Sequence, residues 1–226
     1  MARAAGRIML HRMSALPAYP GLEVIQERRV WNGRFPLDVI RFRHRRFDGA
    51  PSGEKTWELW RRGRGAAALP YDPVADAVVL IEQFRLPALA AGIDPVLVEL
   101  PAGLADPGET LETTVRREMQ EETGLVVGRM ETVGDFLLTA GGSDELCALF
   151  VAELRLPQDA DGIIGHAGMA GESEDIRVRV WPAEAAIAAA MAGRIPNSVA
   201  AIGLLWFAAQ RSRIRAEWSQ PERSQP

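Results

Sequence analysis

Gly103-Leu104-Ala105-Asp106-Pro107-Gly108-Glu109-Thr110-Leu111-Glu112-Thr113-Thr114-Val115-Arg116-Arg117-Glu118-Met119-Gln120-Glu121-Glu122-Thr123-Gly124-Leu125 has the form of a loop followed by an amphipathic helix. Leu111, Val115 and Met119 recur every fourth residue and give the helix an inward stripe. Thr110 can cap its start, and Gly124 can end it in the left-handed conformation. Glu118 lies three residues before Glu121 and four before Glu122, so the carboxylates share one face. Like charges so spaced destabilise a bare helix by roughly 0.2–0.5 kcal/mol per pair. A hard divalent cation turns that repulsion into attraction. Magnesium favours carboxylate oxygens, keeps some waters and takes further ligands from substrate phosphates. Arg117, one before Glu118 and four before Glu121, can hold a carboxylate in place. A charge run on a helix is ordinarily a solvated face, and Glu112 is read that way. The spacing of the whole stretch is what sets this run apart.

Outward from this helix, Val96–Leu100 reads as a short strand ending in Glu99-Leu100-Pro101. Before it, Gly65–Leu69 and Ala77–Phe84 read as a hairpin about the polar turn Tyr71-Asp72-Pro73. Val78-Val79-Leu80-Ile81 is a continuous apolar run, as expected of a strand buried on both faces. Beyond the helix, strands are expected at Arg129–Leu138, Leu146–Leu154 and Asp175–Trp181, and helices at Pro182–Ala192 and Ser198–Arg211. Upstream, Leu22–Phe47 alternates with a period of two. The turn Asp48-Gly49-Ala50-Pro51-Ser52-Gly53 separates it from a strand at Thr56–Arg61. This antiparallel unit is too small to bury its own core and must lean on the rest of the chain or on another subunit. The organisation expected is a flexible tail over 1–20, an N-terminal β-domain over 21–62, a main domain over 63–212 and a C-terminal tail over 213–226. Strands with a few helices, one of them set between strands, indicate an α+β fold, an α/β/α sandwich.

A chain of 226 residues with 47% apolar and 25% charged residues suits one compact domain with an extension, or two lobes. A net charge of −4 gives no electrostatic case for nucleic acid or an acidic membrane surface as partner. Cys147 is the single cysteine, so no intramolecular disulfide forms and a zinc cluster is excluded as a default; both point to a reducing compartment. Met1–Met13 carries arginines around the short apolar Ile8-Met9-Leu10 and reads as a tail rather than a signal peptide. Ala186–Ala192 is too short to span a bilayer. A cytoplasmic protein is the expectation.

Gly103, five residues, Glu109, seven residues, Arg117-Glu118, the apolar Met119, Gln120, Glu121-Glu122, Thr123, Gly124 and the apolar Leu125 fill every position of the Nudix box. The chain therefore resembles the Nudix hydrolases. Leu69-Pro70-Tyr71-Asp72-Pro73, Val79–Arg85, Glu99–Gly103, Phe42-Arg43-His44-Arg45 and Gly171-Glu172-Ser173-Glu174-Asp175 are similar to bacterial ADP-ribose pyrophosphatases. The resemblance implies the Nudix fold, a mixed sheet between helices, with an N-terminal antiparallel sheet that packs across a homodimer and lends residues to the partner's site. It implies hydrolysis of a nucleoside diphosphate sugar, ADP-ribose first, to AMP and ribose 5-phosphate, with two or three Mg²⁺ ions, or Mn²⁺ in their place.

Carried over by resemblance, Glu118, Glu122 and the backbone carbonyl of Ala102 bind metal, with Glu121 a further ligand and Arg117 the holder of the carboxylates. Arg85 contacts phosphate or ribose, a task suited to an arginine fork. Glu145, in the loop Gly141-Gly142-Ser143-Asp144-Glu145, binds substrate with Gly141 and Gly142. Glu172 matches the family's catalytic base and Glu174 reaches the metals. Departures fall on base recognition. Ala140 stands where the family often has proline, and Trp57 where it has an arginine. Arg34 stands near the position of the adenine-stacking aromatic, with Phe35 or Trp31 as substitutes. The runner-up expectation is a related sugar-nucleotide hydrolase acting on GDP-mannose; a non-catalytic ADP-ribose sensor comes last.

Overall fold

The computed structural model describes residues 16–168 and 175–219. They divide into two compact units, one comprising the described residues up to Arg62 together with Gly141–Asp144, the other beginning at Gly63, pausing at Ala140 and resuming at Glu145.

The first unit is an antiparallel sheet of β1 (Leu22–Trp31), β2 (Leu37–His44) and β3 (Lys55–Trp60), in that order. The alternation over Leu22–Phe47 resolves into two strands, because Asn32–Pro36 turns the chain. Alternation along β2 puts Asp38, Ile40 and Phe42 on the covered face. Asp38 is buried there as an ion, held by Arg29 Nε at 2.9 Å and Arg61 Nε at 2.8 Å. Those guanidiniums, Arg29 first, keep its carboxyl below the usual range. Arg61 also reaches Glu27 at 3.0 Å and Asp144 at 3.4 Å, and Arg62 N–H donates to Asp144 Oδ1 at 2.7 Å. Trp60 N–H donates to Gly142 O at 2.8 Å, so the Gly141–Asp144 loop is stitched to β3.

The second unit is a mixed sheet. Its strands are β4 (Arg64–Asp72), β5 (Ala77–Phe84), β6 (Val96–Glu99), β7 (Ala102–Leu104), β8 (Met130–Leu137), β9 (Leu146–Glu153), β10 (Gly162–Ala167) and β11 (Ile176–Pro182). The order is β10-β11-β5-β4-β9-β8, with β6 on β5 and β7 on β4; only β4 and β9 run parallel. The helices are α1 (Leu86–Ala90), α2 (Leu111–Thr123), α3 (Ala183–Met191) and α4 (Ser198–Trp218). Ala67, Leu69 and Tyr71 of β4 and Val78 and Leu80 of β5 face α3 and α4, while Ala66, Ala68, Val79 and Ile81 face α2. Both faces of these central strands are covered, which explains their unbroken apolar runs.

Several expectations change. Tyr71 and Asp72, expected in the turn, end β4 instead. Tyr71 is fully buried against Phe207, its ring centroid 4.6 Å away, and its hydroxyl donates to Asp76 at 2.8 Å. Asp72 accepts from the backbone of Val74, Ala75 and Leu156. The turn shifts to Pro73–Asp76, where Asp76 takes a left-handed φ of 53°. Beyond the expected strands, β10 adds a half-exposed strand that carries no alternation and holds His166. α4 runs past Arg211 to Trp218 because Ile214 and Trp218 are buried, so residues 213–218 belong to a helix rather than to a tail. Among the described residues, no helix is long and apolar enough to cross a membrane.

Candidate active site

α2 forms as its sequence directs. Thr110 Oγ1 accepts from Thr113 N–H at 3.2 Å, and Gly124, at φ 70°, sends its N–H back to Gln120 O at 3.1 Å. Val115 and Met119 are buried against the sheet. The helix is therefore fixed in rotation, with Glu118, Glu121 and Glu122 held on its acidic side.

Arg117 organises that side. Its Nη1 donates to Glu118 Oε1 at 2.6 Å and to Glu121 Oε2 at 3.0 Å. Nε and Nη2 reach the two oxygens of Glu109 at 3.1 and 3.0 Å, and Nη2 also reaches Leu104 O at 3.0 Å. Such charge-assisted, forked contacts are the directional ones. Glu109 further accepts from Thr114 Oγ1 and from the backbone N–H of Asp106. The Arg117 guanidinium first, and that backbone donor second, lower its pKa to about 2. Arg117 is correspondingly pushed above its ordinary value, mainly by Glu109.

Glu122 is buried, and its Oε2 accepts from Ala102 N–H at 2.9 Å, which ties α2 to β7. Gly103 supplies the remaining room: a Cβ there would overlap the Glu118 carboxylate. Glu118 and Glu122, nearly enclosed, the half-exposed Glu121 and the adjacent backbone of Ala102 offer only oxygen donors, the kind a hard cation such as magnesium takes. Among the described residues, no three acidic, histidine or cysteine side chains converge on one point. Glu172 and Glu174 lie outside the described residues.

Arg85 stands at the N-terminal boundary of α1 without capping it by its side chain, and its Nε and Nη2 grip Glu99 at 3.0 and 2.7 Å. Glu99, buried at the end of β6, is also met by Asn197 Nδ2 at 3.1 Å. Glu145 is half-buried at the entry to β9, where its carbonyl accepts from Leu138 N–H at 3.1 Å. Cys147 is buried, and burial first, then the charges of Glu145 and Asp135, push its thiol up to about 11. A thiol so placed is no nucleophile.

Arg34, Phe35 and Trp57 belong to the first unit, as do Gly141 and Gly142. Trp31, Arg34, Phe35, Leu37 and Trp60 line a cavity of about 540 Å³. Phe35 meets Trp60 edge-on with centroids 6.0 Å apart; the Arg34 guanidinium is 5.5 Å from the Phe35 centroid, and that of Arg62 3.9 Å. Trp57 is absent from this lining and packs instead on Phe42 at 5.3 Å. Sequence reading missed Trp60, Arg62, Glu99 and Asn197. The i,i+2 spacing of Trp60 and Arg62 was the available signal, since alternate residues of an extended segment share a face. A glutamate closing an apolar strand was the signal for Glu99.

A NUDIX domain family model matches residues 61–199. The chain is 40% identical over 198 residues to an ADP-ribose pyrophosphatase of Escherichia coli, covering 88% of this chain and 93% of the relative. It is 36% identical to that of Haemophilus influenzae, covering 88% and 91%. It is 34% identical to a GDP-mannose pyrophosphatase of an Enterobacter species, covering 82% and 94%. A crystal structure titled an ADP compounds hydrolase shares the fold at TM-score 0.60 and 17% identity, over 86% of this chain and 98% of that one.

Proposed function

This chain belongs to the Nudix family and is a hydrolase, and we propose that it cleaves the diphosphate of ADP-ribose to AMP and ribose 5-phosphate with two or three Mg²⁺ ions. The reading is carried by one observation: the Glu118 carboxylate seated over Gly103, with Glu122 buried beside it and Arg117 bracing both Glu118 and Glu121. The kinship to ADP-ribose pyrophosphatases supports the choice of base and sugar.

Bound Mg²⁺ would neutralise the negative charge of the diphosphate and favour attack by water at one phosphorus. The chain's own part is to hold Glu118, Glu121, Glu122 and the Ala102 carbonyl ready as ligands. Arg117 keeps Glu118 and Glu121 from repelling one another apart in the free protein. Arg85 orients a phosphate or the ribose, Glu145, Gly141 and Gly142 contact substrate, and Glu172 takes the proton from the attacking water, with Glu174 a further ligand. Arg34, Phe35, Trp31 and Trp57 are proposed to meet the base across a homodimer. The exposure of Trp31, Trp57 and Trp60 on the three-stranded sheet supports such a partner. A cytoplasmic setting is proposed because the single cysteine, Cys147, has no second cysteine in the chain to form a disulfide with.

Kinship to GDP-mannose pyrophosphatases favours GDP-mannose as the second substrate. Measuring kcat/KM for ADP-ribose, GDP-mannose and NADH with Mg²⁺ decides between them; faster turnover of GDP-mannose overturns the first choice. Glu122→Gln should cut kcat by roughly 10²–10³ or more, since such losses follow removal of a group that stabilises transition-state charge. Its Tm should stay within a few degrees of the wild type, and undiminished turnover would refute the site.

A further inference from the structure

Arg85 is not an isolated cation on a strand end. Two of its three guanidinium nitrogens lie on the Glu99 carboxylate, Nε at 3.0 and 3.2 Å from its two oxygens and Nη2 at 2.7 Å from Oε2. Glu99 is 5% exposed, far more buried than the arginine it holds. A buried carboxylate needs its hydrogen bonds filled, and Asn197 Nδ2 donates to Oε1 at 3.1 Å. The same Asn197 presents Oδ1 to Ala200 N–H at 2.9 Å and so caps α4. One amide therefore does two things with its two ends, and the first turn of α4 is linked through Glu99 to the plane of the Arg85 guanidinium.

We propose that Asn197 and Glu99 are positioning residues that set the orientation of Arg85 toward the substrate's phosphate. The inference rests on the role proposed above for Arg85 toward a substrate phosphate or the ribose, taken here as the phosphate. A side-on grip through Nε and Nη2 turns the Nη1 edge away from Glu99 and removes the side chain's torsional freedom before substrate arrives. Arginine carries about 2 kcal/mol of rotamer entropy, which an unheld side chain must lose on binding. The effect belongs in substrate binding, hence in KM more than kcat.

The two ends of Asn197 can be separated. Asn197→Ser keeps an oxygen for the cap but is too short to reach Glu99. Asn197→Asp keeps the cap and sets a second carboxylate against Glu99. Steady-state kinetics with ADP-ribose and Mg²⁺ should show KM raised about 3–10-fold for Asn197→Ser, less than the full worth of one hydrogen bond to a charged group because the loss reaches Arg85 only through Glu99, and more for Asn197→Asp. kcat should change by less than about twofold, and circular dichroism with thermal unfolding should show helix content and Tm near those of the wild type in both variants. In an Arg85→Ala background the Asn197 substitutions should have no further effect on KM, as a double-mutant cycle requires of residues acting in series. If Arg85→Ala raises KM while Asn197→Ser and Asn197→Asp leave it unchanged, the positioning role is wrong. If Arg85→Ala itself leaves KM unchanged, the phosphate role of Arg85 fails instead.

Discussion

Glu109 shows how one residue can serve a site without touching its ligands. Its two oxygens collect Arg117, Thr114 and the Asp106 backbone, and Arg117 in turn spaces the carboxylates of α2. The Glu109 pKa falls from its ordinary 4.5 to about 2. A depressed carboxylate contributes stability above its unfolded pKa, and that contribution is lost as pH falls through its folded value. Acid titration of the wild type should therefore show unfolding stability declining between about pH 4.5 and 2, and Glu109→Gln should flatten that decline in a denaturant series read by circular dichroism. An unchanged acid limb would show that the Arg117 network contributes nothing to stability. At this scale the sequence was informative: Gly103, Glu109, Arg117, Glu118 and Glu122 all stand at spacings that their contacts explain. It was silent where meaning depends on distant partners. Nothing near Asn197 in the chain points to Glu99, 98 residues away.

The elements divide the same way. α2 was legible from end to end because its cap, its stripe and its terminal glycine are local signals. β7 and α1 were not, since three and five residues carry too little periodicity to read. β10 is an edge strand whose residues are mostly half-exposed, so no alternation marks it. The end of α4 was misjudged because Arg211, Arg213 and Arg215 dilute the apolar pattern. Each of those arginines is paired, Arg211 and Arg215 to Asp76 and Arg213 to Glu131. Ile214 and Trp218 supply the buried contacts, and Arg129 and Arg155 donate to Trp218 O. A chain truncated after Arg211 should lose about 3–5 kcal/mol, the usual cost of deleting a large core side chain. Chemical denaturation measures this, and a loss below about 1 kcal/mol would mean that the last turns of α4 are dispensable.

For the molecule as a whole, the three-stranded sheet is the part for which a second copy is proposed. Tyr19, Trp31, Phe47, Trp57 and Trp60 are exposed on its strands and flanks. Large exposed aromatics grouped in this way mark interaction surfaces. Analytical ultracentrifugation should give twice the 24.7 kDa chain mass, through an isologous contact. Trp57→Glu should shift the equilibrium to monomer and raise KM for ADP-ribose. A wild-type monomer at micromolar concentration would remove the partner from the proposed site.

The six tryptophans are unequally placed. Trp31, Trp57 and Trp60 are 65%, 54% and 43% exposed in the first unit, whereas Trp218 is 5% exposed and Trp181 and Trp206 are half-covered in the second. Indole emission is therefore a built-in two-channel reporter. Long-wavelength light quenched by acrylamide should come chiefly from the small sheet, and the blue edge chiefly from the buried Trp218. A ligand or subunit that shields the former should change quenching without altering the latter, so docking and global unfolding can be followed separately with no label attached.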